Sequence, residues 1–201
     1  MIVISAPSGT GKTTLVTRLL RSARSLRFSV SHTTRPPRPG ERNGREYHFV
    51  ARPVFARMIG RGEFVEWAEV HGELYGTSRA ALRRAQGANH DALLDIDVQG
   101  HRQVRRRLPE AVSVFLLPPS FSELERRLRR RHSDAPETIE RRLADARREI
   151  RRWREYDYLI VNDTVAEAGR ALQAVVRAAR LRRSVQQRRA REIVKSFGGH
   201  R

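Results

Sequence analysis

Short apolar runs alternate with longer amphipathic stretches along the chain, which is typical of an α/β protein with a largely parallel sheet. Four apolar runs predict strands, at Ile2–Ser5, Ala92–Asp97, Val112–Leu117 and Tyr158–Val161. Six stretches with helical spacing of apolar residues predict helices, at Lys12–Ala23, Ser78–Ala85, Gly100–Arg107, Phe121–Arg131, Pro136–Glu155 and Val165–Arg182. Ser120, after the two prolines that end the third strand, is expected to cap the next helix. The order predicts an α/β domain whose mainly parallel sheet is flanked by helices.

The segment from 31 to 76 departs from that pattern. It is rich in Pro, Gly, Thr and Arg, and its apolar residues form only short runs near Tyr47–Val50 and Phe64–Ala68, which predict short strands. The sequence contains no internal repeat and no low-complexity linker. We therefore interpret residues 31–76 as a subdomain inserted into the α/β domain.

The composition excludes several classes of site. The 201 residues include no cysteine, which excludes disulfide frameworks, thiolate metal sites and cysteine nucleophiles. No apolar run approaches the roughly 18 residues that a membrane span requires. Met1–Ser5 enters an apolar run at once, without the basic segment of a secretory signal. The expectation is a cytoplasmic protein that does not engage a membrane.

Charge is the unusual feature of the composition. Lys and Arg total 41 against 22 Asp and Glu, which gives a formal net charge of +19, and only Lys12 and Lys195 are lysines. Such a balance suits an anionic partner such as a nucleic acid or a nucleotide. Aromatic residues, at 6%, do not interleave with the basic runs as they do in a single-strand binder. We therefore favour a solvated, arginine-rich surface over nucleic-acid binding.

The segment from Arg177 to Arg201 concentrates this charge, with nine basic residues and one acid, Glu192. We expect a helix end that frays into disorder. A basic arm that contacts RNA or another subunit is the alternative. A homo-oligomer therefore stays open.

The segment Ala6-Pro7-Ser8-Gly9-Thr10-Gly11-Lys12-Thr13-Thr14 lies between the first strand and the first helix and predicts a phosphate-binding loop. It matches the pattern G-x-x-x-x-G-K-[ST], except that Ala6 takes the first glycine position. Its two glycines allow the loop to turn amide N–H groups toward phosphate oxygens. The helix N-terminus adds partial positive charge, Lys12 suits the β- and γ-phosphates, and Thr13 is a candidate Mg²⁺ ligand. The expected ligand is a nucleoside triphosphate.

A second anion-binding segment follows at Ser31–Glu41. Prolines at positions 36, 37 and 39 stiffen it, and it carries two arginines three residues apart, Arg35 and Arg38. Planar guanidinium groups suit phosphate geometry, and a rigid loop loses little entropy in presenting them. Tyr47 follows nine residues after Arg38 and can donate a phenolic hydrogen bond. The segment predicts a site for a second, phosphate-bearing substrate.

With these segments the chain resembles the guanylate kinase family of nucleoside monophosphate kinases. The motifs that carry the resemblance occur in the family's order and extend from Met1 to about Arg183; they are Ala6–Thr14, Ser31–Glu41, Glu66–Glu69, Tyr75–Ser78, Leu94–Gly100 and Tyr156–Asp163. The resemblance implies a P-loop kinase fold with one domain over residues 1–201. Its implied parts are a core (1–30, 77–119 and 139–183), a GMP-binding subdomain (31–76), a helical lid (about 120–138) and a basic tail (184–201).

The resemblance also implies roles for individual residues at the two substrates. It assigns the GMP phosphate to Arg35, Arg38, Tyr47 and Tyr75, and the guanine base to Ser31, Glu66, Thr77 and Asp97. It assigns ATP to the phosphate loop, Ala6–Thr14, and to Asn162 at the adenine. The implied catalytic residues are Lys12, Arg35, Arg131 and Arg142. Residues 129–134 replace the family's glycine-bearing turn in the lid, so Arg127 stays an alternative to Arg131.

The residues implied at the base suit guanine on chemical grounds as well. Guanine presents N–H donors beside an O6 acceptor, so the carboxylates of Glu66 and Asp97 can accept and the hydroxyl of Thr77 can donate. Adenine would set a lone pair against those carboxylates, and a site of this kind discriminates by about 10⁴. Asp95 is a further acid on the same strand, and the sequence leaves the division of roles between Asp95 and Asp97 open.

The implied reaction is ATP + GMP ⇌ ADP + GDP, with Mg²⁺ as cofactor and dGMP as a further candidate acceptor. The attacking oxygen of GMP is anionic near neutral pH, so catalysis is expected from alignment and charge neutralisation, without a general base. Three alternatives are a nucleic-acid-associated P-loop protein, a silent interaction module with this fold, and a kinase for another phosphorylated small molecule. The intact phosphate loop disfavours a silent module, and the arginine pair together with the two carboxylates favours GMP.

Overall fold

The structure is a computed structural model that describes residues 1–87, 90–130 and 135–198. Its strands are β1 (Ile2–Ser5), β2 (Leu26–Phe28), β3 (His32–Thr33), β4 (His48–Phe49), β5 (Phe64–Val70), β6 (Glu73–Ser78), β7 (Asp91–Asp95), β8 (Val112–Leu117) and β9 (Tyr158–Val161). Its α-helices are α1 (Lys12–Ser22), α2 (Arg52–Gly60), α3 (Arg79–Ala85), α4 (Val98–Arg107), α5 (Phe121–Arg129), α6 (Pro136–Glu149), α7 (Val165–Arg180) and α8 (Arg183–Ser196). A 3-10 helix, Ile150–Glu155, continues α6.

The larger sheet has five parallel strands in the order β2-β7-β1-β8-β9. Because successive side chains of a strand point to opposite faces, Ile2 and Ile4 of β1 pack on one face and Val3 on the other. The first face is covered by α1 and α7, and the second by α3 and α4. The prediction of a mainly parallel sheet flanked by helices is confirmed.

The smaller sheet, in the order β4-β3-β6-β5, is formed by residues 32–78, which include most of the inserted segment. Its main pairing is an antiparallel hairpin of β5 and β6, which sets Glu66 beside Thr77. It has a separate core in which Phe55 of α2 stacks on Phe64, with ring centroids 4.4 Å apart. The hairpin therefore carries side chains toward the carboxyl ends of β1 and β7.

Several predicted boundaries differ from those in the structure. The strand predicted to reach Asp97 ends at Asp95, because Asp97 caps α4: its Oδ1 accepts the N–H of Gly100 at 2.8 Å. For the same reason α4 begins at Val98. Ser120 caps α5 as predicted, with its hydroxyl oxygen accepting the N–H of Glu123. Strands β2, β3 and β6 and helix α2 were not predicted, and two of these strands are too short to display a period.

The expectation of a fraying tail is wrong for residues 183–196, which form α8. The segment contains neither glycine nor proline until Gly198, and its arginines, glutamines and alanine are good helix formers. Arg182, with an extended backbone, separates α8 from α7. No helix in the described ranges is long and apolar enough to cross a membrane.

Packing of α7 against α1 and the sheet predicts a large effect of Leu172→Ala. Leu172 is 0% exposed, so we expect a loss of about 2–5 kcal/mol in the free energy of unfolding, measured in urea. Leu181→Ala is the matched control, because Leu181 is 72% exposed and its truncation should change that free energy by less than about 0.5 kcal/mol. Similar losses in the two variants would contradict this packing.

Candidate active site

A cleft of about 290 Å³ separates the carboxyl ends of β1 and β7 from the β5–β6 hairpin. Most of the residues singled out from the sequence line it: Ala6, Pro7, Ser8, Gly9, Thr10, Gly11, Lys12, Thr13, Ser31, Arg38, Tyr47, Glu66, Tyr75, Asp97 and Arg142. These residues are far apart along the chain. The fold therefore brings the phosphate loop and the inserted segment to opposite walls of one cavity.

Five of the singled-out residues are placed differently. Thr14 is exposed in the first turn of α1 and does not line the cleft. Thr77 and Asn162 are buried behind its surface, and Arg35 lies in the turn beside Tyr47. Arg131 lies outside the described residues.

The phosphate loop depends on its two glycines in both conformation and space. Gly9 and Gly11 have φ of +88° and +95°, which side chains rarely tolerate. A Cβ on Gly9 would lie 2.8 Å from Leu128 of α5, and one on Gly11 would lie 2.7 Å from Asn162 Nδ2. Ala6 has no positive φ, so alanine satisfies the first position of the motif. The loop thus has the backbone form of a phosphate nest.

Asn162 and Arg127 support the phosphate loop by donating hydrogen bonds to its backbone. Asn162 is 3% exposed, and its amide Nδ2 donates to the carbonyl of Thr10 at 2.6 Å. The guanidinium of Arg127 donates to the carbonyl oxygens of Thr10 and Asn162 at 3.1–3.4 Å, and its Nε pairs with Glu123 at 2.7 Å. Arg127 is therefore a support of the loop, and contact of Asn162 with adenine stays a prediction.

The two acids left open by the sequence have separate partners. Asp95, the last residue of β7, forms an ion pair with Lys12. Lys12 Nζ also donates to the carbonyl of Ile96 at 3.3 Å. Asp97 instead caps α4 and also accepts from Gln99 Nε2 at 3.1 Å. Lys12 of the loop and Asp97 at the start of α4 are thus held by separate partners.

Glu66 is a buried carboxyl, 3% exposed, at the end of the cleft nearest α4. Its Oε1 accepts the backbone N–H of Thr77 at 2.7 Å, and the hydroxyls of Thr77 and Ser31 lie 3.3 Å apart. Gly100 admits Glu66 because it lacks a Cβ, which would lie 3.1 Å from the carboxyl carbon. Burial, and more weakly the charge of Asp97, raises the pKa of Glu66 to about 7.

The arginine-bearing turn is organised by Glu41. Arg35 Nη2 donates to both carboxylate oxygens of Glu41 at 2.9 Å, and the N–H of Arg38 donates to the same group at 2.7 Å. The Arg35 guanidinium lies 5.5 Å from the ring of Tyr47, which meets Tyr75 edge-on at 5.8 Å. Burial raises the pKa of Tyr47 to about 12, so its hydroxyl stays a neutral donor at physiological pH.

Sequence reasoning missed two polar residues of the cleft wall, His71 and Glu149. His71 has φ of +54° in the β5–β6 turn, and its Nδ1 lies 3.4 Å from the carboxylate of Asp145 on α6. Glu149 follows Arg142 by seven residues on α6, and that spacing is the signal that could have identified it. No such signal exists for His71, since its contact with α6 joins distant parts of the chain.

Comparisons with known proteins agree with this geometry. A family model described as guanylate kinase matches residues 1–179. The guanylate kinase of Dechloromonas aromatica is 55% identical over 181 residues, which are 90% of each chain. That of Cupriavidus metallidurans is 48% identical over 200 residues, which are 100% of this chain and 93% of the relative. The crystal structure of guanylate kinase from Anaplasma phagocytophilum matches with a TM-score of 0.80 at 35% identity, covering 100% of this chain and 96% of that one.

The raised pKa of Glu66 predicts a pH-dependent effect of Glu66→Gln on stability. Between pH 4.5 and about 7 the folded protein retains a proton that the unfolded chain releases, so this group destabilises the fold increasingly as the pH rises through that window. Glu66→Gln removes the penalty, and we expect a gain of up to about 3 kcal/mol in the free energy of unfolding at pH 8.

At pH 5 the gain should be much smaller, as measured by urea unfolding at the two pH values. Glu69→Gln is the matched control, because Glu69 is on the same strand with a side chain 54% exposed. The same pH dependence in both variants would contradict the burial of the Glu66 charge.

Proposed function

The chain belongs to the guanylate kinase family and transfers the γ-phosphoryl group of ATP to GMP. On this basis we propose which residues of the cleft bind each nucleotide. The proposal rests on one observation: a phosphate loop lines one side of a single cavity, and arginine and carboxylate side chains line the other. Two phosphate-bearing substrates could therefore lie end to end in it.

ATP binds on the side of the phosphate loop. The N–H groups of residues 8–13 and the N-terminus of α1 attract its phosphates. The ion pair of Lys12 with Asp95 is replaced by one between Lys12 and a phosphate oxygen. Arg142 of α6 lines the same cavity and neutralises charge as the phosphoryl group moves. Arg131 is proposed for this role from the family resemblance alone. Asn162 is proposed at the adenine, in addition to its bond to the loop.

GMP binds on the wall formed by the inserted segment. Arg38, whose side chain has no polar partner among the described residues, holds its phosphate together with Arg35, Tyr47 and Tyr75. Glu66 and Asp97 accept from the N–H donors of guanine, and Ser31 and Thr77 supply hydroxyls. The base is the same in dGMP, which we propose as a second acceptor.

The reaction is an in-line displacement in which a phosphate oxygen of GMP attacks the γ-phosphorus of ATP and ADP leaves. The attacking oxygen is already anionic, so the protein need not remove a proton from it. Its tasks are to align the two phosphates and to offset their repulsion, which Lys12, Arg35, Arg38 and Arg142 do by their charge. Closure of the walls excludes water, the competing acceptor.

Mg²⁺ is the proposed cofactor, and the donor set of the cleft fits it. Thr13 offers a hydroxyl oxygen at the start of α1, and Mg²⁺ prefers oxygen ligands with several retained waters. The described residues contain no cluster of three His, Cys, Asp or Glu side chains that could hold a metal alone. This suits an ion that enters with the nucleotide and is held by Thr13, water and phosphate oxygens. When bound, Mg²⁺ neutralises charge on the β- and γ-phosphates.

We propose that the parts of the domain move relative to one another during this cycle. The core would be residues 1–30, 77–119 and 139–183, the GMP-binding subdomain 31–76, and the lid about 120–138. Contact between His71 of the hairpin and Asp145 of α6 joins the walls across the cleft. We further propose a cytoplasmic location and no physiological nucleic-acid partner, with the arginines acting as a solvated surface.

Arg38→Ala is the test of the acceptor site. It should raise the KM for GMP at least tenfold and leave the KM for ATP within about twofold, because a guanidinium–phosphate pair is lost only at GMP. Arg42→Ala is the matched control in the same loop, since Arg42 is exposed and does not line the cleft. A coupled ADP-release assay with GMP, dGMP, AMP, CMP and UMP measures both constants. Equal weakening of the two substrates would contradict the proposed role.

Self-association through α8 is the proposed oligomeric contact. None of its residues is buried, and a 14-residue helix with little tertiary packing is marginal in water. Ile193, Val194 and Phe197 are 50%, 60% and 86% exposed near its end. A second copy of the helix would cover them.

Replacing Ile193 and Val194 together by Gln should convert the wild-type oligomer into a monomer in sedimentation experiments. High salt should strengthen wild-type association, because the two basic helices repel each other at low salt. Val165→Gln, at a site 37% exposed on α7, is the control. A wild type that is monomeric throughout would refute the contact.

A further inference from the structure

Strand β5 is the edge strand of the smaller sheet, and side chains of α4 bond to its outer edge. Three of them, spaced four residues apart on the helix, donate to carbonyl oxygens of alternate residues of the strand. The donors and acceptors are Gln99 and Glu69, Gln103 and Trp67, and Arg107 and Val65. Four residues of a helix rise about 6 Å and two residues of a strand about 6.7 Å, so the two series stay in step. Helix α4 therefore takes the place of a neighbouring strand along β5.

Gln103 bonds both backbone groups of its partner. Its Oε1 accepts the N–H of Trp67 at 3.3 Å, and its Nε2 donates to the carbonyl oxygen of the same residue at 2.5 Å. A carboxamide carries an acceptor and a donor side by side, so it reproduces the pair of bonds that a neighbouring strand would make. Both bonds are exposed, and water can replace them. Their loss should therefore leave the fold intact.

Glu66 lies where the pairing of β5 with β6 is interrupted. The register of the hairpin shifts between Phe64 and Glu66, where β5 has one residue more than β6. A bulge of this kind disrupts the ladder and redirects the side chain beside it. At this point the N–H of Thr77 donates to the carboxylate of Glu66 at 2.7 Å. The bonds from α4 to Val65 and Trp67 therefore hold the backbone on both sides of Glu66.

We propose that Gln103 is a positioning residue for Glu66 and thereby sets the preference of the acceptor site for guanine. The inference rests on the proposed contact of Glu66 with the base. Gln103 does not line the cleft, so it acts through Glu66. The carboxyl group of Glu66 is closely confined, since a Cβ on Gly100 of α4 would lie 3.1 Å from its carbon. A displacement of about 1 Å at such a site can cost up to about a hundredfold in rate.

Steady-state kinetics of Gln103→Leu test the proposal through the KM for GMP and the Ki of AMP as a competitor of GMP. Leucine removes both bonds to Trp67 and has a similar size. The KM for GMP should rise about tenfold, because the N–H donors of guanine require the carboxylate of Glu66 in its place. The Ki of AMP and the KM for ATP should stay within about twofold of the wild type. AMP uses the same phosphate site as GMP, but adenine N1 is a lone pair where guanine N1 is an N–H donor.

Gln173→Leu is the matched control. It is the same substitution at a similarly half-buried glutamine, whose Nε2 donates to the hydroxyl of Ser22 at 2.8 Å and joins α7 to α1 away from the cleft. Its KM for GMP and its Ki for AMP should follow the wild type. A merely structural role of Gln103 would reduce the folded fraction, which lowers kcat and leaves the KM for GMP unchanged.

Gln103→Glu is a second variant that keeps the shape of the side chain. Its carboxylate can still accept the N–H of Trp67 but cannot donate to the carbonyl oxygen. The KM for GMP should therefore rise as it does with leucine, again without a change in the Ki of AMP. An unchanged KM for GMP in both variants at Gln103, or an equal rise in the KM for GMP and the Ki of AMP, would overturn the proposal.

Glu66→Gln distinguishes the proposal from its premise. If this variant keeps the wild-type KM for GMP, Glu66 does not contact the base, and the proposed base site fails. If it raises that KM while Gln103→Leu does not, only the role of Gln103 fails. In the double variant, Gln103→Leu should add less than about twofold to the effect of Glu66→Gln, because both changes act on one contact. Independent effects that multiply would contradict action through Glu66.

Discussion

The conformation of the phosphate loop is the constraint on which the rest of the site depends, and it is set by side chains beneath the loop. Gly9 and Gly11 have left-handed backbones, pressed against Leu128 of α5 and Asn162 after β9. Asn162 and Arg127 also bond the carbonyl of Thr10. The directions of the loop's N–H groups therefore follow from contacts with residues more than a hundred positions away. Any movement of α5 acts directly on the groups that would hold a triphosphate.

Internal carboxylates neutralise the cleft before any substrate arrives. Asp95 pairs with Lys12, Glu41 pairs with Arg35, and Glu149 lines the same cleft as the loop. Clustered cations without such partners would repel one another and weaken the fold. When the nucleotides bind, these cations must give up their carboxylate partners for phosphate oxygens. Part of the binding energy is therefore spent on breaking the internal ion pairs. A site with this composition favours turnover of its nucleotides over their tight retention.

The parts that the sequence predicts well are those whose signal is local. Strands β1, β8 and β9 have the predicted ends, because each is a continuous apolar run, and β1 and β8 are buried inside the parallel sheet. The two-residue strand β3, which was not predicted, exists through its pairing with β4 and β6, which no period encodes. In the site, motif spacing identified the residues of the loop and of the hairpin. His71 meets α6 through Asp145, a tertiary contact that no local signal encodes, whereas Glu149 was marked only by its spacing from Arg142.

The base site shows how one helix end can organise several acceptors. Asp97 caps α4, and Glu66 approaches the same turn because Gly100 has no side chain there. Burial opposes the charge of Glu66 and hydrogen bonds from Thr77 favour it, and the pKa of about 7 reflects the balance. In the proposed complex the N–H donors of guanine stabilise the ionised form, whereas adenine N1 could accept only from the protonated form. Recognition of guanine is therefore coupled to the charge of Glu66: guanine favours the ionised carboxylate, and the ionised carboxylate favours guanine over adenine.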